Sequence, residues 1–168
     1  VFTGVSAGLG AYVLSAVINR TTIPGLDILL QSVPALAVAM TVFAVAGVAN
    51  SLNIIDGFNG LASMCAVLML ASFGYVGFEV GDTLVVSLAL AGVGAILGFF
   101  VWNFPAGLIF LGDGGAYFLG FYVAEVAILL LNRNPSVSPM FALLVCIYPI
   151  FETVFTIYRR RVVRSHPA

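Results

Sequence analysis

Polar side chains of the kinds that bind phosphates and cations fall within three short segments of an otherwise apolar sequence. The first segment, 50–60, reads NSLNIIDGFNG. Asn50 and Asn53 are three residues apart, so they share one face if the helix continues to this point. Their amides can donate hydrogen bonds to a ligand, while Asp56 can hold a cation or move a proton. Asn59 adds a further amide just before the next apolar run.

The second segment, 103–120, places Asp113 among glycines directly before an apolar run. Glycines let a phosphate or nucleotide approach the backbone, and a helix N-terminus favours negative charge there. An aspartate at this point competes with an anion unless a divalent cation joins them, and Mg²⁺ is commonly held by one or two carboxylates plus substrate phosphates. Asn103 could add a hydrogen bond and Phe110 a stacking face. An N-cap aspartate followed by flexible glycines is the alternative. The glycines are Gly112, Gly114 and Gly115.

The third segment, 148–161, carries Glu152 in an apolar run that ends in three arginines. A carboxylate inside a membrane helix indicates a functional site. Arg159 lies two helical turns further on, so the alternative is a structural pair of Glu152 with Arg159 or with a polar group of a neighbouring helix. The arginines most simply anchor the helix at the lipid headgroups, and they can also attract an anionic substrate.

The composition determines which elements position these segments. The chain is 62% hydrophobic and 8% charged, with a mean hydropathy of +1.17, against roughly a quarter charged residues in a soluble domain. Long, continuous apolar runs exclude a β-barrel. We therefore predict an all-α, polytopic membrane helix bundle, as one transmembrane domain over 1–168 that is a piece of a longer protein. The six predicted spans are about 1–19, 33–51, 60–78, 83–101, 114–132 and 140–158.

One boundary stays open in this prediction. The stretch from Gln31 to Asn53 is either one span, or a short amphipathic helix at 25–32 followed by a span that starts near Pro34, which is a favoured residue at a helix start.

Counting spans places the three polar segments on one side of the membrane, with loops near 50–60, 102–115 and 159–168. Four arginines in the last loop indicate the cytoplasmic side by the positive-inside rule. Helix capping would explain Asp56 and Asn59. It does not explain the amides of Asn50 and Asn53, because unpaired amides are costly in the last turn of a membrane helix.

Together the three segments resemble the polyprenyl-phosphate N-acetylhexosamine-1-phosphate transferases, the glycosyltransferase family 4 type that includes the lipid I synthase of peptidoglycan. Each string is ordinary alone, but their order, spacing and shared side make the match specific. The matching strings are Asn50-x-x-Asn53-x-x-Asp56-Gly57-x-x-Gly60-Leu61, then Asn103-x-Pro105-Ala106 with Gly112-Asp113-x-Gly115, then Pro149-Ile150-x-Glu152 before Arg159-Arg160.

The resemblance implies a multi-pass protein of the bacterial cytoplasmic (inner) membrane, with about ten or eleven spans and its active site on the cytoplasmic face. It implies transfer of a hexosamine 1-phosphate from a UDP-sugar to undecaprenyl phosphate, a membrane lipid, with release of UMP. Mg²⁺ is the implied cofactor, with Mn²⁺ as a substitute. A homodimer is compatible with the family, and no nucleic acid is expected.

Residue roles follow from the matching positions. Asp113 matches the magnesium-binding aspartate, Asn103 and Phe110 match positions that line the nucleotide pocket, and Asn53 and Asp56 match polar residues beside the phosphates. Asp56 and Asp113 are thus the expected catalytic residues. The expected substrate-binding residues are Asn50, Asn53, Asn59, Asn103, Phe110, Gly112, Gly114, Gly115, Glu152 and Arg159.

Two departures from the family pattern bear on which branch of the family the chain resembles. Asn59 stands where many members carry aspartate, and GDGGA replaces the GDTGS form that is usual in lipid I synthases. Both differences favour the branch that starts O-antigen, capsule or related lipopolysaccharide polymers, with a lipid I synthase as the alternative. The family's acidic pair and histidine-rich loop are absent from these 168 residues, so we expect this piece not to turn over alone.

Two other classes of protein compete with an enzyme. A secondary transporter also uses intramembrane carboxylates and broken helices, but it places them near the bilayer midplane in paired halves. A purely structural membrane subunit would leave Asn50, Asn53 and Asp113 without a role.

Overall fold

The computed structural model describes residues 17–165, with side chains up to Val162, and all of its regular elements in this range are α-helices. The predicted first span, about 1–19, lies almost wholly outside these residues. The described helices are α1 (Pro24–Ser32), α2 (Pro34–Ile55), α3 (Leu61–Glu79), α4 (Thr83–Asn103), α5 (Gly112–Arg133), α6 (Pro139–Val145) and α7 (Ile147–Ser165).

Four of these helices, α2 to α5, are long and apolar enough to cross a membrane, and the bent pair α6–α7 makes a fifth if it is one span. Each of the four has 19 to 22 residues, which is the length that a hydrocarbon core about 30 Å thick requires. The prediction of an all-α polytopic bundle is confirmed, and the chain is a multi-pass membrane protein.

Prolines decide two helix boundaries. Pro34 begins α2 directly after α1 ends at Ser32, so the short helix followed by a separate span is the arrangement that forms. The stretch predicted as a span over 140–158 is bent by 59° between α6 and α7. Pro149 has no backbone N–H with which to reach the carbonyl of Val145, four residues back, which accounts for a break at this point.

Helices α2 and α5 approach each other closely at Gly120. A Cβ atom on this glycine would lie 2.4 Å from the Cα of Ala49, so no larger residue fits without moving a backbone. Small residues allow this kind of contact between membrane helices, where close packing replaces the hydrophobic effect as the source of association. The contact lies one turn before Asn53 on α2 and two turns after Asp113 on α5, so it aligns the two polar segments.

A separate polar network joins the helix ends at the other end of the bundle. Asp82 caps α4 by accepting from the backbone N–H of Val85 at 3.3 Å. Its other carboxylate oxygen accepts from Arg133 Nε at 2.7 Å and from Asn134 Nδ2 at 2.9 Å. The Asp82 side chain is almost fully buried, so this network fixes the α3–α4 turn against the end of α5.

Candidate active site at one end of the bundle

Asn53 and Asp113 meet where α2 ends and α5 begins. The amide nitrogen of Asn53 donates a hydrogen bond to Asp113 Oδ1 at 3.3 Å. Asp113 lies in the first turn of α5 and is exposed. The structure therefore brings together a residue of the first polar segment and the aspartate of the second.

Asp56 faces the same carboxylate from the end of α2. It is half-buried and makes no side-chain hydrogen bond to the other residues described. Burial raises the pKa of the Asp56 carboxyl, and the nearby charge of Asp113 raises that pKa further. The charge of Asp113 thus disfavours ionisation of Asp56, and a cation between the two side chains would offset this repulsion.

Helix capping does not account for these acids. Asp56 stands at the C-cap of α2, where its backbone N–H bonds to the carbonyl of Asn53. The N-cap residue of α3 is Gly60, and that of α5 is Leu111, and neither helix start has a side-chain cap. Asp113 therefore follows the N-cap rather than forming it, so its carboxylate remains available to a ligand.

Asn103 lies beneath the site and is buried, with 5% of its surface exposed. Its side-chain oxygen accepts from the backbone N–H of Gly60 at 2.6 Å. Its side-chain nitrogen donates to the carbonyl of Ile109 at 2.8 Å. One side chain thus joins the 56–60 loop to the 104–111 loop, and both ends of its amide are in use.

Gly60 is held in a conformation that this junction requires. Its φ is +81°, in the left-handed region that L-residues with a side chain rarely adopt. A Cβ atom here would lie 2.9 Å from Phe100 Cε2 and 3.1 Å from Phe104. Asn59, the preceding residue, is exposed and donates from Nδ2 to the carbonyl of Pro105 at 3.4 Å.

The glycine-rich segment presents an accessible backbone. Phe110 is 75% exposed, as a residue that stacks on a ring must be. Gly112 starts α5 with a φ of +67°, and a Cβ on Gly112 or Gly114 would meet nothing within 4 Å. Gly115 instead packs against the side chain of Leu111, so its role is local packing.

The remaining predicted residues make no hydrogen bond or ion pair to this cluster among the described side chains. Asn50 is exposed on α2, one turn before Asn53. Glu152 is half-buried on α7, a helix that packs against α2, and Arg159 is exposed. Among the described side chains the one ion pair is Arg133–Asp82, so the alternative in which Glu152 pairs with Arg159 does not form.

Two contacts of the structure were not predicted, and only the second has a signal in the sequence. The bridge made by Asn103 was not foreseen, because both its partners are backbone groups that no side-chain pattern reveals. The Asp82 cap was readable, since aspartate directly before an apolar helix favours an N-cap. Glu125 is buried on α5, and neither of its oxygens has a hydrogen-bond partner in the described part of the chain.

These observations define a membrane-embedded helical protein with two facing carboxylates, amide donors and an exposed glycine-rich helix start at one end. Residues 1–131 match the family described as glycosyl transferase family 4. The chain belongs to this family.

Two relatives illustrate the similarity. Over 126 residues the chain is 34% identical to a Bacillus subtilis (strain 168) protein named probable undecaprenyl-phosphate N-acetylglucosaminyl 1-phosphate transferase, covering 74% of this chain and 35% of that protein. Over 119 residues it is 35% identical to phospho-N-acetylmuramoyl-pentapeptide-transferase of Streptococcus thermophilus (strain CNRZ 1066), covering 71% of this chain and 34% of the relative. The chain therefore spans about a third of the length of these relatives.

Proposed function

We propose that the whole protein transfers an N-acetylhexosamine 1-phosphate from a UDP-sugar to undecaprenyl phosphate and releases UMP. The names of the two relatives, which are both transferases of phosphorylated sugars, support this proposal. The structural observation that carries it is the meeting of Asn53, Asp56 and Asp113 at one end of an apolar helix bundle. Such a site can serve a charged nucleotide from water and a phosphate on a membrane lipid.

The reaction forms one bond and breaks another at the same phosphorus. An oxygen of the lipid phosphate attacks the β-phosphorus of the UDP-sugar. The bond between that phosphorus and the bridging oxygen breaks, and the electron pair leaves with UMP. The products are a sugar-diphosphate lipid and UMP. Both substrates are anions, so the site must reduce their mutual repulsion.

The residues present fit a magnesium ion. The described residues contain no group of three or more His, Cys, Asp or Glu side chains placed to hold a metal, but Mg²⁺ is often held by one or two carboxylates with substrate phosphates as further ligands. Asp113 would hold the ion, with Asp56 as the nearest second carboxylate. When bound, Mg²⁺ supplies positive charge that stabilises a diphosphate and its leaving group.

The chain's own groups bind and orient the nucleotide. The exposed ring of Phe110 is suited to stack on uracil. The start of α5 offers backbone N–H groups and the positive end of the helix dipole to the diphosphate. Asn53 fixes one oxygen of Asp113, which leaves the second oxygen for a ligand.

The lipid phosphate would reach this end of the bundle from the membrane. We propose that this end faces the cytoplasm, as the arginines in the last turns of α7 favour. Exposed Arg159 and its neighbours would attract the anionic headgroup of undecaprenyl phosphate. The polyprenyl tail would remain in the apolar phase beside the helices.

We further propose that the product initiates an O-antigen, capsule or related envelope polymer. The Bacillus subtilis relative is named for transfer of N-acetylglucosaminyl 1-phosphate, and Asn59 and the GDGGA string favour the same branch. Transfer of phospho-N-acetylmuramoyl-pentapeptide, for which the Streptococcus thermophilus relative is named, is the alternative.

The test uses inside-out membrane vesicles that contain the whole protein, supplied with undecaprenyl phosphate, Mg²⁺ and a radiolabelled UDP-sugar. We expect label in the organic extract as a sugar-diphosphate lipid, together with an equal amount of UMP. UDP-N-acetylglucosamine should serve better than UDP-N-acetylmuramoyl-pentapeptide. Solute accumulation inside the vesicles without any lipid product would overturn the proposal and favour a transporter.

A further inference from the structure

The strongest unassigned feature of the site is the buried side chain of Asn103. The resemblance implies that this residue lines the nucleotide pocket. In the structure its oxygen and nitrogen are both bonded to backbone groups, at 2.6 Å to Gly60 and at 2.8 Å to Ile109. Only 5% of its surface is exposed. The amide keeps a second N–H and a second lone pair, but its burial leaves little of either for a ligand.

The two backbone partners belong to the two loops that form the site. Gly60 ends the loop that begins at Asp56, and Ile109 directly precedes Phe110. The two loops are far apart in sequence, since 43 positions separate Asn103 from Gly60. The amide of Asn103 therefore helps to set the spacing between the acid side of the site and its aromatic side.

Few other contacts could replace this bridge. Asn59 bonds to the carbonyl of Pro105 at 3.4 Å, but both groups are exposed, and such a bond competes with water. Gly60 is buried, and its N–H donates to the Asn103 side chain. Phe100 and Phe104 pack around Gly60, so water does not easily take the place of the amide.

We infer that Asn103 is a positioning residue, whose amide holds the 56–60 and 104–111 loops at a fixed separation so that Asp56 and Phe110 can serve one substrate. It acts through these loops and does not contact the nucleotide. The inference deepens the proposed function and rests on it only for the catalytic measurement, because the loop separation can be measured without any substrate.

The first measurement is a distance between spin labels in the ligand-free whole protein. Labels are placed on F58C and F110C, whose native side chains are 76% and 75% exposed, after Cys65 and Cys146 are replaced by alanine. Double electron–electron resonance should give a narrow distance distribution with Asn103 in place. Asn103→Leu removes both bonds and should broaden or shift the distribution.

A second variant keeps the test valid if Asn103→Leu does not fold. Asn103→Asp retains an oxygen that can accept from the Gly60 N–H, but its carboxylate cannot donate to the Ile109 carbonyl. It should therefore make only the 104–111 loop, which carries Phe110, more mobile. Asn134→Leu is the matched control, because Asn134 also donates from its amide, to Asp82 and to the Leu130 carbonyl, but at the opposite end of the bundle. It should leave the distance unchanged.

The second measurement is kinetic and uses the protein without labels. Because misplacement of about 1 Å can cost on the order of 100-fold in rate, Asn103→Asp should lower kcat by about 10- to 100-fold. The affinity for UMP, measured by calorimetry, should change much less than kcat.

An unchanged loop separation would overturn the positioning role of Asn103. If the ligand-free distance distribution is unchanged in both Asn103 variants, the positioning role is wrong, whether or not UMP binding weakens. If the unsubstituted protein makes no sugar-diphosphate lipid, the proposed function fails while the distance result still decides the role of Asn103 in the loops.

Discussion

The amide nitrogen of Asn53 lies 3.3 Å from Asp113 Oδ1, although 60 positions separate the two residues in the chain. The contact exists because α2 and α5 pack backbone to backbone at Ala49 and Gly120. Helix packing one turn before Asn53 therefore sets the geometry of the polar site.

Substitution of Gly120 should disturb the site indirectly, through the packing of α2 against α5. In Gly120→Ala the new Cβ would lie 2.4 Å from the Cα of Ala49, so α2 and α5 must separate. Overpacking of this kind costs about 1–3 kcal/mol. We expect a lower melting temperature in detergent and a loss of transferase activity larger than the loss of folded protein.

Gly94→Ala is the control for this prediction. Gly94 is also in a membrane helix, but a Cβ there meets nothing within 4 Å. It should fold and work like the unsubstituted protein. Equal stability of the Gly120 and Gly94 variants would contradict the close approach of α2 and α5.

Loss of the Asn53 amide should weaken cation binding. Asn53→Leu cannot donate to Asp113, so that carboxylate loses the bond that orients it. A hydrogen bond contributes about 1 kcal/mol, so the apparent Mg²⁺ affinity in the transferase assay should fall about five- to tenfold. Asn19→Leu, an exposed change at the other end of the bundle, should leave the Mg²⁺ dependence as it was. An unaltered Mg²⁺ titration in Asn53→Leu would refute the orienting role.

Asp56 should make stability depend on pH. Its pKa is raised by burial and by the charge of Asp113, so the folded protein favours the protonated form. The resulting stability is complete below the ordinary carboxyl pKa of 3.8 and is lost as pH rises through the raised folded-state pKa.

The measurement is thermal unfolding without Mg²⁺ from about pH 4 to about pH 8. The unsubstituted protein should lose stability with rising pH relative to Asp56→Asn, which cannot ionise. Asp113→Asn should make this loss of stability smaller, because it removes the charge that is one of the two causes of the raised Asp56 pKa. Parallel pH profiles for the Asp56→Asn and unsubstituted proteins would show that Asp56 is not in this environment.

Asp82 should show the opposite pH dependence. Burial acts to raise the pKa of its carboxyl, but the bonds from Arg133, Asn134 and the Val85 N–H outweigh burial and lower that pKa. Its contribution to stability is present above the ordinary pKa of 3.8 and is lost as pH falls through the lowered folded-state pKa.

Asp82→Ala should destabilise the protein by about 1–2 kcal/mol, the cost of losing an N-cap. Thermal unfolding at neutral pH measures this loss. Transferase activity per folded molecule should be unchanged, because the network lies at the far end of the bundle. A specific loss of activity with normal stability would show that the two ends are coupled.

The sequence predicted the helices better than it predicted the contacts between them. Long apolar runs allow only spanning helices, because backbone polar groups must be satisfied inside the membrane. The relation between Asn53 and Asp113 could be expected from the count of spans, which places both segments at one end. The resemblance predicted that Asn103 lines the nucleotide pocket, and it could not show that both partners of its amide are backbone groups.

The bend between α6 and α7 and the contact at Gly120 depend on tertiary structure. Pro149 lies within an apolar run that reads as one continuous helix, and proline can kink a helix as well as end it. In the sequence, Gly120 looks like the other glycines of these helices. A Cβ atom added to Gly94 or Gly98 would contact nothing within 4 Å, whereas one added to Gly120 would contact the backbone of Ala49. Which small residue marks a contact is decided by the neighbouring helix.

The most direct test of the account is the Mg²⁺ dependence of sugar-diphosphate lipid formation in Asp113→Asn. The substitution keeps the size of the side chain and an oxygen that can accept from Asn53, but it removes the charge that would hold the cation. We expect kcat/KM to fall on the order of 100-fold or more, with partial recovery at high Mg²⁺, while Asp82→Asn retains its activity. Full activity of Asp113→Asn at low Mg²⁺ would contradict the assignment of this end of the bundle as the active site.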